Sequence, residues 1–144
     1  MSDPFGRALR LDDGDLVLVG GRLQEVEGTA NLTQALTLRV LTPFGSDPFN
    51  TGYGLNLKQV FTEPSGLRMV RELVKLNLVS TLGQDPRIRE VRQVVFDDDP
   101  DRLAADPNAA AVVRAAHRRR AWTVQVELET VTDTPVTLQV NVEV

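Results

Sequence analysis

Four aspartates crowd into one short stretch, Asp97, Asp98, Asp99 and Asp101. Carboxylate oxygens so close together suit a hard divalent cation, but the run lacks the glycine and distal glutamate of an EF-hand loop. Carboxylate runs between elements are usually solvated turns, so no metal is expected here. A basic patch follows at Arg114, Arg118, Arg119 and Arg120, which could touch phosphate. Only Trp122 stands near it as a stacking aromatic, and the preceding acidic run offsets its charge. No nucleic-acid partner is expected. His117 is the only histidine, between Ala116 and Arg118 at a predicted helix end, where a cation suits the helix dipole. Cysteine is absent. A catalytic triad, a histidine metal cluster and a thiolate nucleophile are thereby excluded or badly weakened. No carboxylate pair stands out as acid and nucleophile of a glycosidase. The chain is expected not to be an enzyme and to need no cofactor.

Gly45, Gly52 and Gly54 do not follow a strand, and their spacing is not that of a phosphate loop. They read as turn glycines. Asp85-Pro86-Arg87 is short but well placed. Gly83 is a natural helix stop just before it. Pro86 fixes the backbone, and Arg87 presents a rigid five-donor fork at the start of a predicted strand. The local alternative is a salt bridge from Arg87 to Asp85 or Glu90.

The elements that must position these residues are readable from punctuation and periodicity. The chain has 144 residues, 42% hydrophobic and 25% charged, enough for one domain with a core. Its net charge of −4 gives no global case for binding nucleic acid. The N-terminus lacks the apolar run of a signal peptide, and no window approaches the roughly 18 apolar residues of a membrane span. No membrane insertion is expected, and the absence of cysteine suits a reducing cytosol.

Residues 1–14 are polar and turn-prone and are expected to form a flexible arm. Two β-like runs, 16–19 and 22–26, flank Gly20-Gly21, a good hairpin turn. Asn31 and Gln34 are spaced as a capping box, and Leu32, Ala35, Leu36 and Val40 share one helical face. Thr42-Pro43 stops that helix. Thr62, Glu63 and Pro64 signal a second, with Leu67, Val70, Leu73, Val74, Leu76 and Leu78 predicting burial on more than one side. Ile88 to Phe96 reads as a strand, Asp106 to Ala116 as a further helix, and 97–120 as an insertion.

The clearest pattern comes last. Trp122, Val124, Val126 and Leu128 alternate with polar residues, as do Val136, Leu138, Val140 and Val142. This predicts an antiparallel hairpin with one wet and one buried face. The whole reads as a single α+β domain over 1–144. It would have a small antiparallel sheet of about three main strands plus an N-terminal hairpin, covered by two main helices, with the helical insertion added.

The order of these segments resembles the baseplate wedge family of contractile injection systems. That family includes the sheath-initiator protein of contractile phage tails and the TssE-like component of type VI secretion. The residues that carry the resemblance are Asp15-Leu16, Gly28, Asn31-Leu32, Gln34-Ala35-Leu36, Leu41-Thr42-Pro43 and Gly45. Tyr53-Gly54-Leu55, Phe61 to Pro64 and Asp85-Pro86-Arg87-Ile88 with Val91 follow in the same order. The likeness covers about residues 12–96, and the terminal hairpin fits it.

The resemblance implies a structural baseplate component. Its acidic-Pro-Arg motif, here Asp85, Pro86 and Arg87, would dock on the helical bundle of wedge proteins, with Asp85 replacing the usual glutamate. A sheet edge would offer unpaired backbone groups to the first sheath subunits. The terminal strand, with Val136, Thr137, Leu138, Gln139, Val140 and Asn141, is the candidate for that edge. Tube or hub proteins would be neighbours, and the protein would assemble in the cytoplasm into a phage tail or injection particle. The alternative is a non-catalytic adaptor that uses the same edge in an unrelated complex.

Overall fold

Asp13-Gly14 and Gly20-Gly21 each take positive φ, 49° and 84° at the first pair, 59° and 76° at the second. Successive left-handed residues match the twist of a tight antiparallel hairpin. The chain before α1 therefore folds back on itself repeatedly. In the computed structural model, which describes residues 3–58, 66–99, 104, 108, 111 and 121–143, β1 (Arg7–Leu9) pairs with β6 (Glu25–Glu27). Within that loop β2 (Leu11–Asp12) pairs with β3 (Asp15–Leu16), and β4 (Leu18–Val19) with β5 (Arg22–Leu23). The bonds from Arg10 N–H to the Gln24 carbonyl and from Gln24 N–H to the Val17 carbonyl, both 2.9 Å, join the pieces into one ribbon.

This corrects the expected flexible arm for residues 3–14. Phe5 is only 6% exposed and belongs to the core. Asp3 holds the segment at both ends of its carboxylate, accepting from Phe5 N–H at 3.0 Å and from Gly28 N–H at 2.6 Å. The second bond places a negative charge at the first turn of α1 (Gly28–Leu41), where the helix dipole favours it.

The expected capping box is also corrected. Helix α1 begins before Asn31, and Glu27 at its N-cap makes no side-chain capping bond. Asn31 is buried and donates 2.8 Å to the Phe5 carbonyl. Gln34 accepts from Leu11 N–H and donates to the Leu9 carbonyl, both at 2.9 Å. Both amides bolt the ribbon to the helix instead of capping it. Thr42 is extended, as a residue before proline tends to be, and the helix ends there as expected.

Helix α2 (Leu67–Gly83) buries Val70, Val74, Leu78 and Leu82 completely, a strict four-residue spacing. Leu76 is exposed. The helix thus buries one stripe among its described side chains, not the broad surface expected. Its predicted start at Thr62 to Pro64 lies outside the described residues, as do the predicted helix over 106–116, His117 and the basic patch at Arg114 and Arg118 to Arg120. Gly83 ends the helix as expected.

Strands β7 (Ile88–Phe96), β8 (Ala121–Thr130) and β9 (Pro135–Glu143) form an antiparallel sheet in the order β7-β8-β9. Trp122, Val124, Val126 and Leu128 face inward with Val136, Leu138, Val140 and Val142. Helix α1 lies over β9 and α2 over β7. The architecture is α+β: two helices among the described residues, small hairpin sheets and one three-stranded sheet.

Phe5 separates an anchored N-terminus from a loose one. We expect Phe5→Ala to lower unfolding free energy by about 3 kcal/mol or more, as truncation of a core aromatic does. Urea denaturation reads it, and a loss below about 0.5 kcal/mol would mark the side chain as peripheral.

Candidate functional site

Pro86 lies between a helix end and a strand start, and this corner turns Arg87 back toward Asp85. Asp85 Oδ1 accepts from the Arg87 backbone N–H and from Nε, both at 2.9 Å, and Oδ2 accepts from Nη2 at 2.8 Å. The pair is a two-pronged carboxylate–guanidinium contact, the strongest geometry such groups offer. Arg87 Nη1 donates 3.1 Å to the Phe5 carbonyl, the acceptor that Asn31 also uses. Of the two salt-bridge partners left open by the sequence, Asp85 takes Arg87, and Glu90 pairs with Arg92 at 3.1 Å.

Burial alone pushes the Asp85 carboxyl up, but hydrogen bonds and charge from Arg87 outweigh it and hold the group below its ordinary value. The Arg87 guanidinium is held above its ordinary value, chiefly by the Asp85 hydrogen bond. The Asp85 side chain is 8% exposed and that of Arg87 26%, so the arginine presents one edge to solvent.

The loop after α1 packs beside this corner. Arg39 lies over the Tyr53 ring, 4.8 Å from its centre, and donates to Thr81 Oγ1 at 3.0 Å and Gln84 Oε1 at 2.9 Å. Thr81 in turn donates to the Gly54 carbonyl at 2.8 Å. Gly54 has a φ of +108°, and a Cβ there would run into the Thr42 carbonyl oxygen. The glycine is required because Leu55 N–H donates 2.9 Å to that same oxygen. Burial pushes the Tyr53 phenol up, against the lowering influence of Arg39. Leu41-Thr42-Pro43, Tyr53-Gly54-Leu55 and Asp85-Pro86-Arg87 thus gather in one cluster. Sequence reasoning missed Arg39, Thr81 and Gln84; the four-residue spacing of Thr81 from Asn77 only places it on α2.

The second candidate is β9, whose residues divide into two kinds. Val136, Leu138 and Val140 are buried core; Thr137, Gln139 and Asn141 are exposed. The backbone divides the same way. Asp97 N–H donates 3.0 Å to the Thr123 carbonyl, so odd residues of β8 face β7. Thr130 N–H donates 3.1 Å to the Thr134 carbonyl, so even residues face β9. The register pairs Val124 with Val140 and Val126 with Leu138. Because backbone groups alternate between the two sides of a strand, Thr137, Gln139 and Asn141 turn their N–H and C=O groups away from β8. Among the described residues no strand pairs with that side.

The other edge differs. β7 carries register irregularities between Ile88 and Glu90 and between Val91 and Gln93. Arg89, Glu90 and Arg92 stud it, with ion pairs to Glu129 from both arginines. Bulges and charges are the usual protection of an edge. The nine residues of β9 have neither, and the only charge on the strand is Glu143 at its end.

Of the carboxylates considered for a cation, Asp101 lies outside the described residues, and the other three are taken up locally. Asp97 accepts from Thr123 N–H at 3.2 Å, Asp99 accepts from Phe96 N–H at 3.0 Å, and Arg71 pairs with both Asp98 and Asp99. Among the described residues no group of three metal-binding side chains occurs, and no helix is long and apolar enough to cross a membrane. A cleft of about 770 Å³ between the ribbon and α1 is lined by Leu11, Val26, Ala30, Thr37 and Leu41. Comparison with family models, curated proteins and solved structures finds no match to this chain.

Two outcomes follow for the Asp85–Arg87 pair. Arg87→Ala removes charged hydrogen bonds from a buried carboxylate and should cost about 1.5–3 kcal/mol in denaturant unfolding. Arg87→Lys should not restore it, since an ammonium cannot reproduce the fork. The second outcome is a pH dependence. The folded-state carboxyl is depressed, so its stabilisation is full above the ordinary aspartate value of about 4 and is lost as pH falls below it. The stability gap between the parent and Asp85→Asn should therefore be widest near neutrality and close in acid. A constant gap from neutral to acid pH would contradict the pairing.

Proposed function

We propose that this protein is a non-catalytic structural component of a contractile-tail or injection-system baseplate, docking on wedge proteins and starting sheath assembly by strand addition. The observation that carries the reading is the outer edge of β9. It is long, regular and nearly uncharged, and every second residue aims its backbone outward. Strand addition suits such an edge, because main-chain bonds supply affinity and alternate side chains set register.

Three further features support the assembly role. The resemblance in segment order includes the motif at Asp85, Pro86 and Arg87. That motif lies beside the start of β7, on the opposite edge from β9, so wedge and sheath could be engaged together. Arg87 keeps a solvent-facing edge even while it holds Asp85 and the Phe5 carbonyl. In this reading the arginine has two tasks: it fixes the corner internally and presents the corner's edge to the wedge. Tube or hub proteins would be neighbours in the same particle, and assembly would begin in the cytoplasm.

The register makes Gln139→Pro a clean test. Its N–H faces outward, so proline there removes an edge donor and leaves the β8–β9 bonds in place. We expect the variant to melt near the parent temperature and to yield baseplates that lack sheath when particles are viewed by electron microscopy. Sheathed particles of normal length from a folded variant would exclude β9 as the template. The alternative of an adaptor in another complex would show as failure of the parent protein to copurify with baseplate and sheath proteins.

A further inference from the structure

We infer that the free protein pairs with a second copy of itself through β9, joining two three-stranded sheets into one of six strands across a twofold axis. The inference shares the open edge with the proposed function but does not depend on which foreign strand that edge receives.

The argument begins with register. A twofold axis perpendicular to the sheet pairs β9 with its own copy in antiparallel sense, and opposite residues must point to the same face. Only a centre at a residue satisfies this. A centre at Gln139 overlaps all of Pro135–Glu143. It places Gln139 opposite its equivalent and Thr137 opposite Asn141, all with backbone groups facing the partner. A centre at Leu138 or at Val140 shortens the overlap of the two strands.

Side chains fit the same arrangement. With Gln139 at the centre, the wet face of the seam holds Thr137, Gln139 and Asn141, which are neutral and can bond across strands. Glu143 meets Pro135, so no like charges oppose. The dry face continues Val136, Leu138, Val140 and Val142 into their copies. The twofold axis keeps both α1 helices on this face. The only charged residue of α1 is Arg39, which is turned to Thr81 of α2 and to Gln84 just past its end. The Thr33 and Thr37 hydroxyls, on the flank away from α2, donate to the carbonyls of Thr29 and Thr33 at 2.9 and 2.8 Å. Their polar hydrogens are thereby used within the helix. α1 itself puts no charge on that flank, where Arg10 and Asp13 of the ribbon line the same cleft as Thr33 and Thr37. By contrast, β7 could not pair with its copy without burying its bulges against Arg89, Glu90 and Arg92.

Such a dimer would also cover the edge until a sheath strand displaces the second copy.

The chain has no cysteine, so a single introduced thiol reports the seam without background. Hydrogen-bonded antiparallel pairs hold Cα atoms about 5.5 Å apart, within disulfide range. The full-length parent should show the mass of two chains by light scattering at high concentration and of one chain on dilution. Gln139→Cys should form a disulfide-linked dimer under mild oxidation, at least tenfold faster than Thr123→Cys on the inner strand. Gln139→Pro should remain one chain throughout while melting as the diluted, single-chain parent does. One-chain mass for the parent at every concentration, or equal crosslinking of the two cysteine variants, overturns the self-pairing. A monomeric parent whose Gln139→Pro variant still fails to gather sheath overturns only the self-pairing and leaves strand addition standing.

Discussion

The carbonyl oxygen of Phe5 accepts two hydrogen bonds, one from Asn31 in α1 and one from Arg87 at the start of β7. Three chain segments far apart in sequence meet at this one atom. Arg87 can reach it only because Asp85 holds the other side of its guanidinium, and Phe5 can present it only because its ring is in the core. A buried acceptor with two donors is costly to disturb, since loss of either leaves a polar group poorly satisfied. The ribbon, α1 and the corner between α2 and β7 are therefore positioned together. The loop carrying Tyr53 and Gly54 joins the same cluster through Arg39 and Thr81.

That fixed frame leaves the two edges of the sheet in different states. β7 begins at the clamped corner, is bulged twice and is laced with ion pairs. β9 is tied by α1 on its inner face and by β8 on one side only, so its outer backbone groups are held in line yet have no strand partner among the described residues. A regular, nearly uncharged edge is a liability in a protein with no use for it. Its retention opposite a protected edge is what makes an assembly role the best-supported proposal.

Much of this frame was legible in the sequence, and the failures share a cause. The terminal hairpin, the Gly20-Gly21 turn, the stop at Thr42-Pro43 and the strand at 88–96 all depend on neighbours within a few residues. Asn31 and Gln34 misled because their spacing matches a capping box, while their actual partners Phe5, Leu9 and Leu11 lie more than twenty positions away. Asp13-Gly14 was a readable hairpin signal, obscured by the polar composition around it. Leu76 was expected inside from apolar content alone, although the stripe Val70, Val74, Leu78 and Leu82 leaves it outside. For the candidate site, alternation identified which β9 side chains are wet. Which backbone groups face outward needed the register with β8, and the Asp85–Arg87 tie to Phe5 needed the tertiary fold.

The outward aim of alternate β9 backbone groups is the claim on which both functional inferences stand. Residue-resolved amide exchange by NMR, on protein dilute enough to be a single chain, reads it directly. Thr137, Gln139 and Asn141 should exchange much faster than Leu138, Val140 and Val142, and adding a pairing strand should slow the first set alone. Equal protection of both sets in the dilute single chain would contradict an open edge at β9.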